Sequence, residues 1–252
     1  MSAQILKALM QLFAIIARPA SNDTDRRTIV ETFLRNQLNQ ELVKEYIEVF
    51  DEFYNLYQNK QKEKGKQRRQ ISASSVRVLK ICTEINNQLT QQQKIIVLIQ
   101  LFEFSKSDGD EVTDQELEFI NTVSDTFNIS TEEYDTIESF VLFSFDKLPD
   151  SPNVLILDNK EDFSHPNTKH LVVKSLIGQI RVLNVLSANM YVLRYMGDSE
   201  LYMNGQLLHE DRVIVFNPGS SIRDPKTQPI YYSDIISQFR PELKESKYCI
   251  RG

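Results

Sequence analysis

LMQLF at residues 9–13 returns as LIQLF at residues 98–102, and the register between the two copies persists downstream. At the same offset of 89 residues, Thr24-Asp25 falls over Thr113-Asp114 and Asn39 over Asn128. Each copy runs from a very apolar segment through a polar interval to Thr-Asp. An amphipathic segment, an Asn-containing turn and a further helical pattern follow. Features kept in order at a fixed offset mark an internal duplication, and chance alignment of helical patterns is the weaker explanation.

The repeat also decides the N-terminus. ILKALMQLFAIIA, residues 5–17, could pass for a signal-peptide core, but Lys7 and Gln11 interrupt it and no basic region precedes it. It is too short to span a bilayer as a helix. Its counterpart lies mid-chain, where a signal peptide has no place, so both segments are expected to be core helices.

Between the copies, ELVKEYIEVFDEFYNLYQ carries Leu42, Tyr46, Val49, Phe50, Phe53 and Tyr57 at three- and four-residue steps, the stripe of an amphipathic helix. NKQKEKGKQRRQ follows, read as a solvated loop or frayed helix end. Its functional alternative is a basic patch for an acidic partner or anionic lipid, with Lys64, Lys66, Arg68 and Arg69 as the interaction candidates. It lacks the interleaved aromatics of a single-strand nucleic-acid binder. A fresh helix is expected after the Ser-rich ISASS, with Val76, Leu79, Ile81, Cys82, Ile85 and Leu89 toward a core. Thr90 and Gln93 have capping-box spacing. KIIVLIQLFEF is apolar nearly all round and should be central. Residues 1–147 therefore read as all helix, with six to eight helices.

After FDKLPDSPN the period changes. NVLILD, HLVVKSL, GQIRVLNV, MYVLRYMG, ELYMNG, RVIVF and PIYYSDII are short, branched and aromatic-rich runs between turn residues. ELYMNGQLL reads as a hairpin about Asn204-Gly205, where positive φ is tolerated. These runs predict a small all-β sandwich of seven to nine strands over 153–240, followed by a connector over 241–252. The fold class is thus α plus β in two modules.

Composition bounds the function. A formal charge of −6 argues against a general nucleic-acid binder. Cys82 and Cys249 give neither a disulfide framework nor a zinc pattern, which fits a reducing cytosolic setting. His165, His170 and His209 have no metal-ligand spacing, and no G-x-S-x-G elbow occurs. The serines of SSIR fall in an expected turn with no base in view.

One stretch keeps two readings open. In SKSDGDEVTDQE, residues 105–116, Thr113 and Glu116 have capping-box spacing directly before LEFINTVSDTF. Asp108, Asp110 and Glu116 are, as the alternative, a candidate magnesium or calcium site, carboxylates being hard oxygen ligands. An EF-hand is excluded because Gly109 follows Asp108 directly instead of standing sixth in the loop. The first copy of the repeat has PASND at the matching place and lacks the Asp-Gly unit.

On Ser107, Asp108, Gly109, Val112, Thr113 and Glu116, set inside a helical repeat, the first 147 residues resemble the tellurite-resistance TerB-like domain family. The resemblance implies two similar helical halves. In the first half Arg27 stands where that pattern has its glutamate. The wider layout, with LKALMQLFAIIA, VRVLKICTEIN, FNPGSSIRDPK and PIYYSDII, resembles the region ahead of the ATPase domain in ABC-transporter-type ATPases of Bacteroides-like bacteria. It implies a β module similar to forkhead-associated domains, and a partner ATPase or membrane transporter domain in the same full-length polypeptide at the inner face of the inner membrane. The phosphate loop is not in this stretch, since Gly65-Lys66 is followed by Gln67. Asn204-Gly205 matches the late Asn-Gly turn of forkhead-associated domains, and Ser220, Ser221 and Arg223 are the groups that could meet a phosphate. The earlier Gly-Arg and Ser-His pattern of that family is missing. The expected function is a non-catalytic regulatory or adaptor region acting by protein–protein docking. The alternative is a divalent-metal sensor or metal-assisted hydrolase built on the 108–116 loop.

Overall fold

The computed structural model describes residues 3–17, 23–35, 39–64, 67–107, 111–147, 149–224 and 228–240. The chain divides into two compact units, Met1–Leu142 and Phe143–Gly252, so the division falls just ahead of FDKLPDSPN.

The first unit is helical. Its described elements are α1 (Ala3–Ile16), α2 (Asp23–Arg35), α3 (Gln40–Lys64), α4 (Gln67–Asn86), α5 (Gln91–Ser107), α6 (Asp114–Thr126) and α7 (Thr131–Leu142). The duplicated apolar segments are α1 and α5, and both are central. α1 packs on α3, α4 and α5, while α5 packs on α1, α2, α6 and α7. Leu9, Leu12 and Phe13 are buried, as are their repeat mates Leu98, Leu101 and Phe102. The Phe13 and Phe104 rings meet at 5.3 Å, and Phe102 meets Tyr134 on α7 at 5.5 Å. Each such side chain taken from water contributes about 2 kcal/mol. This helix-on-helix interior is why the sequence is so apolar at 5–17 and 94–104.

The two asparagines of the repeat have divided their work. Asn39 opens α3, its Oδ1 accepting from the backbone N–H of Leu42 at 3.0 Å. Asn128 closes α6 in the left-handed region, φ 55°, while Ile129 N–H donates to Ser124 O at 3.1 Å. Ser130 takes the capping role for α7, its Oγ accepting from Glu133 N–H at 3.3 Å.

Two expectations are corrected here, and of the two readings of the basic stretch, loop or helix end, the second is the one that holds. The basic stretch is the end of α3 and the beginning of α4, and α4 runs straight through ISASS, so no new helix starts there. Lys, Arg and Gln are good helix formers, which carries both helices up to Gly65-Lys66. Leu42, Val76 and Leu79 are exposed, and the buried faces are Val43, Tyr46, Ile47 and Phe50 on α3 and Val78, Ile81, Cys82 and Ile85 on α4. No described helix is long and apolar enough to cross a membrane.

The second unit is a two-sheet β sandwich. Its strands are β1 (Val154–Asp158), β2 (Lys169–Val172), β3 (Gln179–Val185), β4 (Met190–Met196), β5 (Tyr202–Met203), β6 (Gln206–Leu207), β7 (Ile214–Phe216), β8 (Ser221–Arg223) and β9 (Ile230–Tyr231), followed by α8 (Tyr232–Phe239). The five-stranded sheet has the order β2-β1-β3-β4-β7, with β1 and β2 parallel and the rest antiparallel. The four-stranded sheet, β6-β5-β8-β9, is antiparallel throughout. Leu155, Leu157, Ile180, Val182, Tyr191 and Leu193 from the first sheet join Leu208, Ile222 and Ile235 in one apolar cluster.

Two further corrections concern the C-terminal elements. SSIR is not a turn: Ser221–Arg223 is strand β8, paired with β5 and β9. PIYYSDII is a strand only at Ile230–Tyr231 and is then helix. Asp234 accounts for the switch, its Oδ2 accepting from Tyr231 N–H at 3.0 Å and satisfying a donor at the start of α8. Tyr232 then packs on Phe216 at 5.3 Å and Phe239 on Tyr191 at 5.4 Å, which docks α8 on the sandwich.

Candidate functional site

Thr113 and Glu116 form a complete capping box ahead of α6. The Glu116 carboxylate accepts from Thr113 N–H at 2.8 Å and from its hydroxyl at 2.7 Å, and Glu116 N–H donates back to Thr113 Oγ1 at 3.3 Å. Thr90 and Gln93 repeat the arrangement ahead of α5, at 2.9 Å and 3.3 Å. Glu116 is 6% exposed, so its carboxylate is folded into the helix start. The other two candidate ligands, Asp108 and Asp110, lie outside the described residues. Among the described residues no group of three or more His, Cys, Asp or Glu is placed to hold a metal ion.

Lys64 is the last residue of α3, and Arg68 and Arg69 stand in the first turn of α4. Lys66, and the side chains of all four basic candidates, lie outside the described residues.

The remaining candidates, drawn from two stretches of sequence, come together. Asn204 and Gly205 form the β5–β6 turn with φ of 52° and 85°. Asn204 Nδ2 donates to Ser220 Oγ at 3.0 Å, and Ser221 N–H donates to Asn204 Oδ1 at 3.2 Å. Arg223 Nε donates to Ser221 Oγ at 3.2 Å. Asn204 thereby clamps the hairpin to the start of β8. Ser220 and Ser221 are buried, whereas Asn204, Gly205 and Arg223 are exposed.

A polar network that the sequence reading missed occupies the other sheet. Arg181 and Arg194, cross-strand partners on β3 and β4, are both 0% exposed. Arg181 donates to the carbonyls of Lys147 at 2.8 Å and Phe145 at 2.6 Å, and its Nε donates to Gln179 Oε1 at 2.8 Å. Arg194 donates to Phe143 O at 3.1 Å and pairs with Asp211. Burial, and then the neighbouring Arg194 charge, both disfavour the Arg181 cation, a cost met by these charge-assisted bonds.

Gln179 carries the network on, donating to Asp158 Oδ2 at 3.2 Å, and His170 Nε2 meets Asp158 Oδ1 at 2.9 Å. Burial pushes the Asp158 carboxyl up. The bonds from His170, from Lys160 N–H and from Gln179 outweigh that and leave it below its ordinary value. Phe163 stacks flat on the His170 ring, 4.3 Å between centroids. A strand arginine reads in sequence as a solvent-facing position, and no local signal announces that residues 143–147 bring carbonyls to it.

With this geometry in place, the comparison with known families separates the two units. Residues 8–139 match the family described as Tellurite resistance protein TerB, more than half of the 252 residues. The chain belongs to the TerB family. No curated protein and no solved structure matches it. The TerB match runs from α1 into α7 and ends before the sandwich begins. Its Thr113–Glu116 box therefore lies inside the TerB region, while the Asn204–Arg223 cluster and the buried arginines lie outside it.

Proposed function

We propose that this TerB-family chain is a non-catalytic regulatory or adaptor region that works by protein–protein docking, with an ABC-type ATPase of a transporter as its partner. The observation that carries this reading is how the described buried ionisable groups are used. Arg181 and Arg194 hold backbone carbonyls, Asp158 collects three donors, Glu103 accepts from Gln100 Nε2 at 3.0 Å, and Glu116 closes a helix start. Groups so engaged build rigid surfaces. Catalysis would instead require ionisable groups converging on a place where a substrate atom could sit.

The sandwich with its late Asn-Gly hairpin supports a forkhead-associated-like β module, a scaffold suited to presenting loops to another protein. The ATPase partner rests on the likeness of FNPGSSIRDPK and PIYYSDII to the region ahead of such ATPases, and that partner would place the chain at the inner face of the inner membrane. The divalent-metal reading gains nothing from Glu116, whose carboxylate is committed to its cap.

Co-purification tests the proposal. A tagged chain is crosslinked in its native cells and its partners are identified by mass spectrometry. An ABC-type ATPase crosslinked to the chain, or continuous with it, supports the reading. Crosslinks only to unrelated proteins, or metal-dependent phosphate-ester turnover by the purified chain, contradict it.

A further inference from the structure

We propose that Asn204 is a self-modifying site: its side-chain amide is lost as ammonia through attack by the Gly205 nitrogen, and the conversion loosens the β5–β6 hairpin from β8. The reaction consumes water and needs no partner or cofactor, so it stands apart from the docking reading.

The sequence selects the residue. An asparagine amide is displaced by the backbone nitrogen of the residue that follows it, and a side chain on that residue stands in the way. Of the asparagines in the chain, Asn204 alone is followed by glycine. Asn128 and Asn189 share its left-handed backbone, yet Ile129 and Met190 follow them and are buried. Asn217 precedes Pro218, which has no N–H to give up. Asn204 and Gly205 are both exposed, and a Cβ placed on Gly205 would meet nothing within 4 Å. Base and water therefore reach the turn from solvent.

The structure sets the rate. Three bonds hold Asn204 against β8. Its N–H donates to Ser221 O at 3.3 Å, its Nδ2 donates to Ser220 Oγ at 3.0 Å, and its Oδ1 accepts from Ser221 N–H at 3.2 Å. Ring closure requires Cγ to swing onto the Gly205 nitrogen, which these bonds and the fixed turn prevent. They part when the end of the hairpin opens. That opening lies low in free energy, because β5 and β6 have two residues each and β6 is exposed at the sheet edge.

The chemistry balances. Base removes the Gly205 amide proton, the nitrogen bonds to Asn204 Cγ, and the Cγ–Nδ2 bond breaks as ammonia leaves with a proton. Water then opens the cyclic imide. Opening at Cγ gives aspartate, and opening at the Asn204 backbone carbonyl gives isoaspartate, whose main chain is longer by a methylene. Either product removes the donor to Ser220. The longer main chain also breaks the Met203–Gln206 and Tyr202–Leu207 register that the tight turn sets.

The full chain is held in mildly alkaline buffer, with and without urea, and sampled over time by digestion and mass spectrometry. Electron-transfer fragmentation separates aspartate from isoaspartate. The expected result is conversion of Asn204 ahead of every other asparagine, to both products, and about ten-fold or more faster in urea than in the native chain. Ser220→Ala should speed the native conversion several-fold and leave the rate in urea unchanged. Hydrogen exchange of the wild type supplies a measurement that needs no variant: the β5 and β6 amides should exchange faster in the isoaspartyl form than in the starting chain. Earlier conversion of another asparagine, equal rates with and without urea, a native rate indifferent to Ser220→Ala, or a converted hairpin as protected as before would each overturn the proposal.

Discussion

Arg181 and Arg194 stand directly opposite each other across β3 and β4, and both guanidinium groups lie over the ring of Phe145, at 4.4 Å and 4.9 Å from its centroid. Two like charges side by side in a sheet repel. Here each is spread over carbonyl oxygens and one aromatic face, and Asp211 neutralises one of them. The pair thereby fastens residues 143–147 to the five-stranded sheet.

Removing one of these arginines should cost far more than a surface charge. Arg181→Met leaves the carbonyls of Phe145 and Lys147 without their donor, so we expect a loss of about 3 kcal/mol. Arg181→Lys should recover only part of it, because one ammonium cannot reproduce the planar fork. Hydrogen exchange of the β3 and β4 amides checks this in the second unit alone, which avoids treating a two-unit chain as one transition.

Asp158 gives the sandwich an acid limit. Its folded-state carboxyl lies below the ordinary 3.8, so it contributes stability that is complete above that value and is lost as the pH falls through the folded one. Asp158→Asn should therefore be less stable than the wild type at neutral pH, and the gap should close as the pH falls below the ordinary carboxylate value and through the lower folded one. Urea titrations at several pH values, followed by tyrosine fluorescence, measure the gap; a constant difference would contradict the assignment.

The two capping boxes make a matched pair. Gln93 does at α5 what Glu116 does at α6, so Glu116→Gln should change stability by less than about 0.5 kcal/mol. Thr113→Ala should cost about 1 kcal/mol, since it removes the hydroxyl that accepts from Glu116 N–H. Thermal unfolding followed by circular dichroism compares the two variants.

Cys82 should be inert while the helices are folded. Burial pushes its thiol up to about 12, so little thiolate is present at neutral pH. Iodoacetamide should label it slowly in the native chain and quickly in urea, as mass spectrometry of the digested protein would show.

What could be read in the sequence was whatever depended on local period. The α1 and α5 repeat, the two capping boxes and the Asn204-Gly205 hairpin each write their geometry within a few residues. PIYYSDII reads as a strand because aromatic and branched residues suit strand and helix alike, and the decision falls to one bond from Tyr231 N–H to Asp234. Val76 and Leu79 read as inward because an apolar residue at helical spacing looks like core, yet the buried residues are Val78 and Cys82 instead. Arg181 and Arg194 were invisible for the opposite reason. A charge in an alternating strand looks solvated, and only the return of residues 143–147 over that face makes it internal.

The most direct test of the docking account is whether an ABC-type ATPase is recovered with this chain and, if it is, whether its rate of ATP hydrolysis at saturating ATP changes as the purified chain is added. The account predicts that such an ATPase is recovered and that its rate changes saturably, with no hydrolysis by the chain alone. A rate unaffected at any concentration, or turnover by the chain itself, would contradict it.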